Sequence, residues 1–254
     1  IECANSVKWE PASNGKRMND WLTNMGDWNI SRKRYYGMPL PFYPCDCGHI
    51  TVVGSKAELR EHAVDPSQVD ALPELHRPWV DEVKIKCPHC GKEVSRVSDI
   101  GDVWLDAGIV PFSTFGYFTD REAWEKNFPA EWVTEMHEQV RLWFYSMLFM
   151  STVLVGKAPY ERVVTNGMVV AEDGSKFSKT GFMIKFDEAA EKIGADTVRY
   201  LYASAPTNND VRFGYNLGDE ARRKMLGFWN IYTFFDTYAQ LDKPNFAEYK
   251  VDFG

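Results

Sequence analysis

Apolar and polar positions alternate along this chain with two different periods. Residues 162–170, Arg-Val-Val-Thr-Asn-Gly-Met-Val-Val, are dense in β-branched side chains and predict a buried strand or hairpin. Helical spacing appears in residues 15–25, where Met18, Trp21, Leu22 and Met25 make one apolar face. It returns in 56–62 and in 186–193, with Asp187 as the predicted N-cap, and then in 194–202, with Asp196 in that role. Residues 218–242 predict a longer amphipathic helix with Met225, Phe228, Trp229 and Tyr232 on one side, stopped by Pro244. Residues 131–148 also read as helix. Glu135, Glu138, Gln139 and Trp143 then fall at i, i+3, i+4 and i+8, on one face. A polar stripe on a helix that turns wholly apolar predicts either a cavity wall or a solvated face edged by an indole.

Composition narrows the class. The 254 residues hold one large or two small domains, and 44% hydrophobic with 15% aromatic content supports a real core. A net charge of −7 argues against nucleic-acid binding through bulk charge, so any RNA contact must use local basic patches. No run of 18 apolar residues predicts a membrane span, and 142–155 is too short. No secretory leader is apparent. The chain starts at Ile1 and ends in Asp252-Phe253-Gly254, and is expected to be a cytoplasmic piece of something longer.

Two clusters carry candidate chemistry. Cys45-Asp-Cys47-Gly48 and Cys87-Pro-His-Cys90-Gly91 resemble a pair of zinc knuckles in a module spanning 44–98, in a reducing compartment. Four thiolates around tetrahedral zinc make a closed, structural site. The first pair is C-x-C where C-x-x-C is usual, so His49 and His89 stand as substitute ligands. The alternative is four reduced thiols in a metal-free loop. The second cluster is Gly174-Ser-Lys176-Phe177-Ser178-Lys179-Thr180-Gly181, two lysines three apart with a hydroxyl beside each. Between a strand and a helix, such a loop suits polyphosphate, because lysine ammoniums are mobile point charges that follow charge building on a leaving group. The alternative is a solvated basic turn.

The lysine loop resembles the Lys-Met-Ser-Lys-Ser signature of class I aminoacyl-tRNA synthetases, with Phe177 for Met and Thr180 for the last Ser. The run Asp27-Trp-Asn-Ile-Ser-Arg-Lys-Arg-Tyr-Tyr-Gly-Met-Pro-Leu-Pro41 resembles a segment shared by the isoleucine, valine and leucine enzymes. Within it, Arg32 and Arg34 read equally as ion-pair partners or as substrate and tRNA contacts. Asp102-Val-Trp104-Leu-Asp-Ala-Gly108 resembles the family's Asp-Val-Trp-Phe-Asp-Ser-Gly run. Residues 135–144 resemble its Glu-Gly-x-Asp-Gln-x-Arg-Gly-Trp-Phe motif, with Met136 for Gly, Glu138 for Asp and Leu142 for Gly. His76-Arg-Pro-Trp-Val-Asp81 is similar to isoleucine enzymes; Pro111-Phe-Ser-Thr114 is reminiscent of valine enzymes.

The resemblance implies an α/β fold: the second half of a Rossmann-like class I synthetase catalytic domain, with an inserted zinc-knuckle module and a C-terminal helical junction. Residues 1–43 would be a helix and leading segment, 44–98 the zinc insertion, 99–215 the catalytic half with the lysine loop, and 216–254 the start of a helical anticodon-binding region. It implies ATP with magnesium, isoleucine and tRNA(Ile) as substrates, and structural zinc on Cys45, Cys47, Cys87 and Cys90. Lys176 and Lys179 would hold the leaving phosphates, with Ser178 between them. Gly167 and Met168 would offer backbone to adenine, Glu135, Glu138 and Gln139 would hold the ribose and aminoacyl part, and Trp104 and Trp143 would wall an aliphatic pocket. No His-Ile-Gly-His-like motif, first nucleotide-binding half or editing insertion is found, so the piece is expected to be inactive alone. A valine or leucine enzyme, and a non-catalytic zinc RNA-binding module, are the other readings.

Overall fold

A computed structural model describes residues 1–248 and 250; the end of the 216–254 segment lies outside the described residues. The fold is mixed α/β with parallel strand pairs, and the chain divides into two units, Ile1–Val164 and Thr165–Gly254.

The first unit is built on a three-stranded sheet ordered Lys8–Glu10, Arg162–Asn166, Val133–Met136. The first two run parallel, with Trp9 beside Val163. Trp9, Met18, Val140, Phe144, Met147, Leu148, Tyr160 and Val163 are buried together as its core. Helix Ser13–Asn24 contributes the predicted Met18 face, and helix Trp143–Val155 ends at Gly156 in a left-handed conformation.

The helix read over 131–148 is corrected. Residues Val133–Met136 form a strand, His137–Arg141 a 3-10 turn, and the α-helix begins only at Trp143. Pairing at the sheet outweighs helix propensity, a weak prior against tertiary context. Glu135, Glu138, Gln139 and Trp143 therefore do not form a stripe. They sit on three successive elements at and beyond the carboxyl end of one strand. In open α/β sheets that end is where ligands bind.

The segment between the two cysteine pairs has a core of its own, with Tyr43, Leu59, Val69, Val80, Val83 and Ile85 buried. Hairpin Phe42–Pro44 with Ile50–Val52 carries the first pair at its turn; Ile85–Lys86 with Glu93–Val94 carries the second. Helix Lys56–His62 starts as predicted, with Ser55 Oγ accepting from the Glu58 amide at 3.1 Å. The Arg96 side chain, 1% exposed, donates to the Leu40 and Asp99 carbonyls and pairs with Asp81. One guanidinium thus ties the segment's two ends to its interior.

In the second unit, Val169–Ala171 and Val211–Phe213 run parallel, linked through helices Phe186–Ile193 and Ala195–Ala203. Strand 162–170 is thus interrupted at Gly167-Met168, and its halves pair in separate sheets and not with each other. The predicted caps are also corrected: the helices begin earlier, with Lys185 and Gly194 at the N-cap positions, leaving Asp187 and Asp196 in the first turns. There the carboxylates still face the positive end of the helix dipole. Helix Tyr215–Asp242 is longer than predicted by one turn at its start. Glu172 accepts from the Leu217 amide at 3.0 Å and from Asn216 at 2.9 Å, and so caps that start from the neighbouring strand. These bonds hold its carboxyl below the usual carboxylate range. Phe228, Trp229 and Tyr232 are exposed, so the predicted apolar face is not buried within the unit.

Candidate functional site

In the first unit, Trp21, Met25, Trp28, Trp104, Leu142 and Tyr145 line a cleft of about 300 Å³, edged by Asp27, Arg32 and Arg141. It is apolar with a few charged groups at the rim, the usual character of a small-molecule pocket. Arg32 and Trp104 also border a neighbouring cleft of about 440 Å³, with Arg34, Tyr36, Asp102 and Asp106. Trp28 meets Phe149 edge-on at 5.3 Å, and the Arg141 guanidinium lies over Trp21 at 5.6 Å. Tyr145 is 6% exposed, and burial pushes its hydroxyl pKa up.

Trp104 lines this cleft. Trp143 does not line that cleft: its indole donates to the Ala107 carbonyl at 3.0 Å and the ring packs on the unit's core. Gln139 Oε1 accepts from the Trp143 amide at 3.1 Å and caps the helix that begins there. Glu135 accepts from the amide of Met136 at 3.0 Å. Arg32 is an ion-pair partner. It meets Asp102, whose side chain is 6% exposed and also accepts from Trp28 Nε1 and the Trp104 amide. Burial alone would raise the Asp102 pKa; these donors and the guanidinium hold it below the usual range.

In the second unit, Gly167 lies so close to the 209–210 backbone that an added Cβ would sit 2.1 Å from the Asn209 carbonyl oxygen. Its amide donates to Thr207 O at 3.1 Å, and its carbonyl accepts from Asn166 Nδ2 at 3.0 Å. The Met168 amide donates to Asp210 Oδ1 at 2.8 Å, while its carbonyl accepts from Val211 at 2.7 Å. The amides are committed within the unit; what remains to a ligand is the second lone pair of each carbonyl. Gly167→Ala is expected to destabilise this unit by about 1–3 kcal/mol through overpacking against fixed backbone. Thermal melting checks this, and an unchanged midpoint would contradict it.

The lysine loop leaves strand Val169–Ala171 through a tight turn. Gly174 adopts φ +87° and Asp173 Oδ1 accepts from both the amide and hydroxyl of Ser175, at 2.8 and 2.7 Å. Phe177 packs inward on the cluster of Ala189, Ile193, Val198 and Phe213. Lys176 and Lys179 flank it and are exposed. The Ser178 hydroxyl accepts from the Thr180 amide at 3.3 Å and lies 3.1 Å from its hydroxyl, so it shapes the turn between the lysines. Among the described residues, no hydrogen bond or ion pair engages the Lys179 ammonium.

The four predicted cysteines come together, their sulfurs all within 4.8 Å of one another. Cys45 and Cys90 are 3.5 Å apart, Cys47 and Cys87 3.8 Å. A tetrahedron with Zn–S of about 2.3 Å has edges of about 3.8 Å, so the donor set fits zinc. Gly48 and Gly91 turn at φ +86° and +75°, conformations that favour glycine. His49 and His89 stack on each other at 6.0 Å and are outside the sulfur cluster. Burial pushes the Cys87 thiol up, but the Cys90 and His89 amides and the facing thiols bring it down to about 7.

The profile of class I tRNA synthetases (I, L, M and V) matches residues 1–214. The chain belongs to that family. Class I synthetases with high similarity include the isoleucine–tRNA ligases of Clostridium novyi, 40% identical over 98% of this chain, and Methanopyrus kandleri, 37% identical over 99%. That of Sulfolobus acidocaldarius is 36% identical over 96% of it. The chain spans about a quarter of these relatives' lengths, 24%, 25% and 23%. In fold it resembles the crystal structure of a ternary complex of Agrobacterium radiobacter K84 agnB2 LeuRS with tRNA and LeuAMS. The TM-score is 0.62 at 23% identity, over 82% of this chain and 28% of that one. Two residues of this synthetase chain escaped the sequence reading: Asp102, whose partners lie 70 and 74 positions away, and Asp210, 42 from Met168. Asp102 stands in the quoted Asp-Val-Trp motif, which was the available signal; nothing local marks Asp210.

Proposed function

We propose that the chain is part of an isoleucine–tRNA ligase of the cytoplasm. It acts in ATP-dependent activation of isoleucine and transfer to tRNA(Ile). The observation that carries this reading is identity of about 40% to isoleucine–tRNA ligases along 98% of the chain. In activation, the amino-acid carboxylate attacks the α-phosphate of ATP and pyrophosphate leaves. Positioning and charge stabilisation lower the barrier, without a covalent enzyme intermediate. Lys176 and Lys179 stabilise the departing pyrophosphate, alongside the magnesium that ATP brings. Ser178 holds the loop's shape. The Gly167 and Met168 carbonyls accept from the adenine amino group. Glu135, Glu138 and Gln139 hold the ribose and the aminoacyl part of the adenylate. Trp104 walls the aliphatic pocket, and Trp143 supports it through Ala107. Cys45, Cys47, Cys87 and Cys90 hold structural zinc within residues 44–98, and residues from 216 begin the helical anticodon-binding region.

The test is ATP–pyrophosphate exchange by the full-length protein with isoleucine, valine and leucine in turn, followed by charging of tRNA(Ile). The highest kcat/KM is expected with isoleucine. Preference for valine or leucine would reassign the cognate amino acid. RNA binding with no exchange for any of the three would overturn the ligase reading in favour of a non-catalytic module.

A further inference from the structure

We propose that Asp102 is the positioning residue of the amino-acid pocket: one buried carboxylate fixes the Trp28 and Trp104 walls and so sets discrimination between aliphatic side chains. The proposal rests on the reading of Trp104 as a pocket wall.

Asp102 sits where two separate stretches of chain meet, 28–32 and 100–104. Oδ1 accepts from the Trp104 amide at 3.0 Å, capping helix Val103–Gly108. Oδ2 accepts from Trp28 Nε1 at 3.0 Å and from the Arg32 guanidinium. The Asp102 amide donates to Ile30 O at 2.8 Å, continuing the antiparallel pairing of Ile100–Gly101 with Ser31–Arg32. Arg32 is held in turn by the Asn29 and Ser31 carbonyls, at 2.7 and 2.8 Å. Both carboxylate oxygens are thus engaged, by donors on residues that line one cleft.

Charge pairing alone does not account for the arrangement, because a buried ion pair replaced as a whole by well-packed apolar groups is often no less stable. What an apolar residue lacks is direction. The indole N–H of one wall and the backbone N–H carrying the other point at the same carboxylate, so the Trp28 ring and the backbone that presents Trp104 are set relative to each other. A pocket that separates isoleucine from valine does so by one methylene, worth roughly 10–200-fold, a magnitude long established for the isoleucine enzymes themselves. Such a margin tolerates little play in a wall, and supporting bonds are what remove that play.

The experiment uses Asp102→Asn in the full-length protein. Asparagine keeps the size, one acceptor and the capping ability, but presents an amide NH₂ where Trp28 or Arg32 donates. In ATP–pyrophosphate exchange, the isoleucine/valine ratio of kcat/KM is expected to fall about tenfold, through KM for isoleucine, with KM for ATP unchanged. Trp28→Phe, which keeps the ring and removes the N–H, is expected to lower the ratio in the same direction. Adding Asp102→Asn to Trp28→Phe should lower the ratio by less than the product of the two single effects, since both remove the same hydrogen bond. A lowered melting temperature with a wild-type ratio in Asp102→Asn, or a wild-type ratio in Trp28→Phe, overturns the proposal and leaves the pocket reading standing. If Trp104→Ala keeps the wild-type isoleucine KM and ratio, the pocket reading itself fails, and the proposal with it.

Discussion

Replacing Lys179 with alanine in the full-length protein is expected to slow adenylate formation by roughly 10²–10³-fold, the cost of losing one charge contact made in the transition state. Binding of isoleucine should change little. The expectation follows from how the loop is built. Phe177 is rooted in the unit's core, while the lysines on either side are exposed. The turn is closed by backbone and hydroxyl bonds from Ser175, Ser178 and Thr180, which leave the ammonium of Lys179 unengaged among the described residues. A point charge on a four-carbon stem can move with the departing pyrophosphate as negative charge accumulates there. Lys179→Arg should recover only part of the rate, because a planar fork on a three-carbon stem meets the phosphate oxygens differently from a point charge. Rapid-quench measurement of adenylate formation, with KM for isoleucine alongside, separates the effects. Unchanged exchange in Lys179→Ala would remove the lysine from the chemistry. An equal loss in Phe177→Ala would show only that loop shape matters as much as charge.

What could be read in advance, and what could not, follows from the distance over which each signal is written. The lysine loop and the cysteine pairs are local: residue types and spacing within a few positions mark them, and the structure places both in tight turns. The arrangement around Glu135 is not local. Its strand exists because Arg162–Asn166 runs beside it, and a run containing Glu, Met, Gln and Leu otherwise favours helix. The break between Asn166 and Val169 is similar. Gly167 is required by the carbonyl of Asn209, which approaches from a loop beyond two intervening helices. Trp143 stands at a motif position, but its indole turns to Ala107, a partner 36 residues away. The long helix shows the opposite case. Its extent and its stop before Pro244 were legible, since propensity and proline govern them, whereas burial of its apolar residues depends on neighbours.

Removing the metal is expected to have the largest effect on residues 44–98. Purified without chelator, the protein should carry about one zinc per chain, as a closed four-thiolate site requires. The sulfurs are already at tetrahedral spacing, with 3.5 and 3.8 Å across the two cross-pairs, and each pair is carried on a short hairpin. Those hairpins are two- and three-residue strands, too short to be stable alone in water. The local core of Tyr43, Leu59, Val69, Val80, Val83 and Ile85 is small, and scaffolds below about 70 residues are commonly stapled by a metal or disulfide. In small zinc peptides the metal contributes about 10–16 kcal/mol, all of it available to folding. Chelation, or Cys87→Ser, should therefore abolish the module's cooperative melting and expose Tyr43 and the buried valines to proteolysis. The linkage to pH has a definite sign. Zinc takes thiolates, protons compete for them, and occupancy must fall as pH is lowered. Elemental analysis and thiol titration decide the matter: no metal, with all four thiols reacting freely in native protein, would mean that the sulfurs merely pack together.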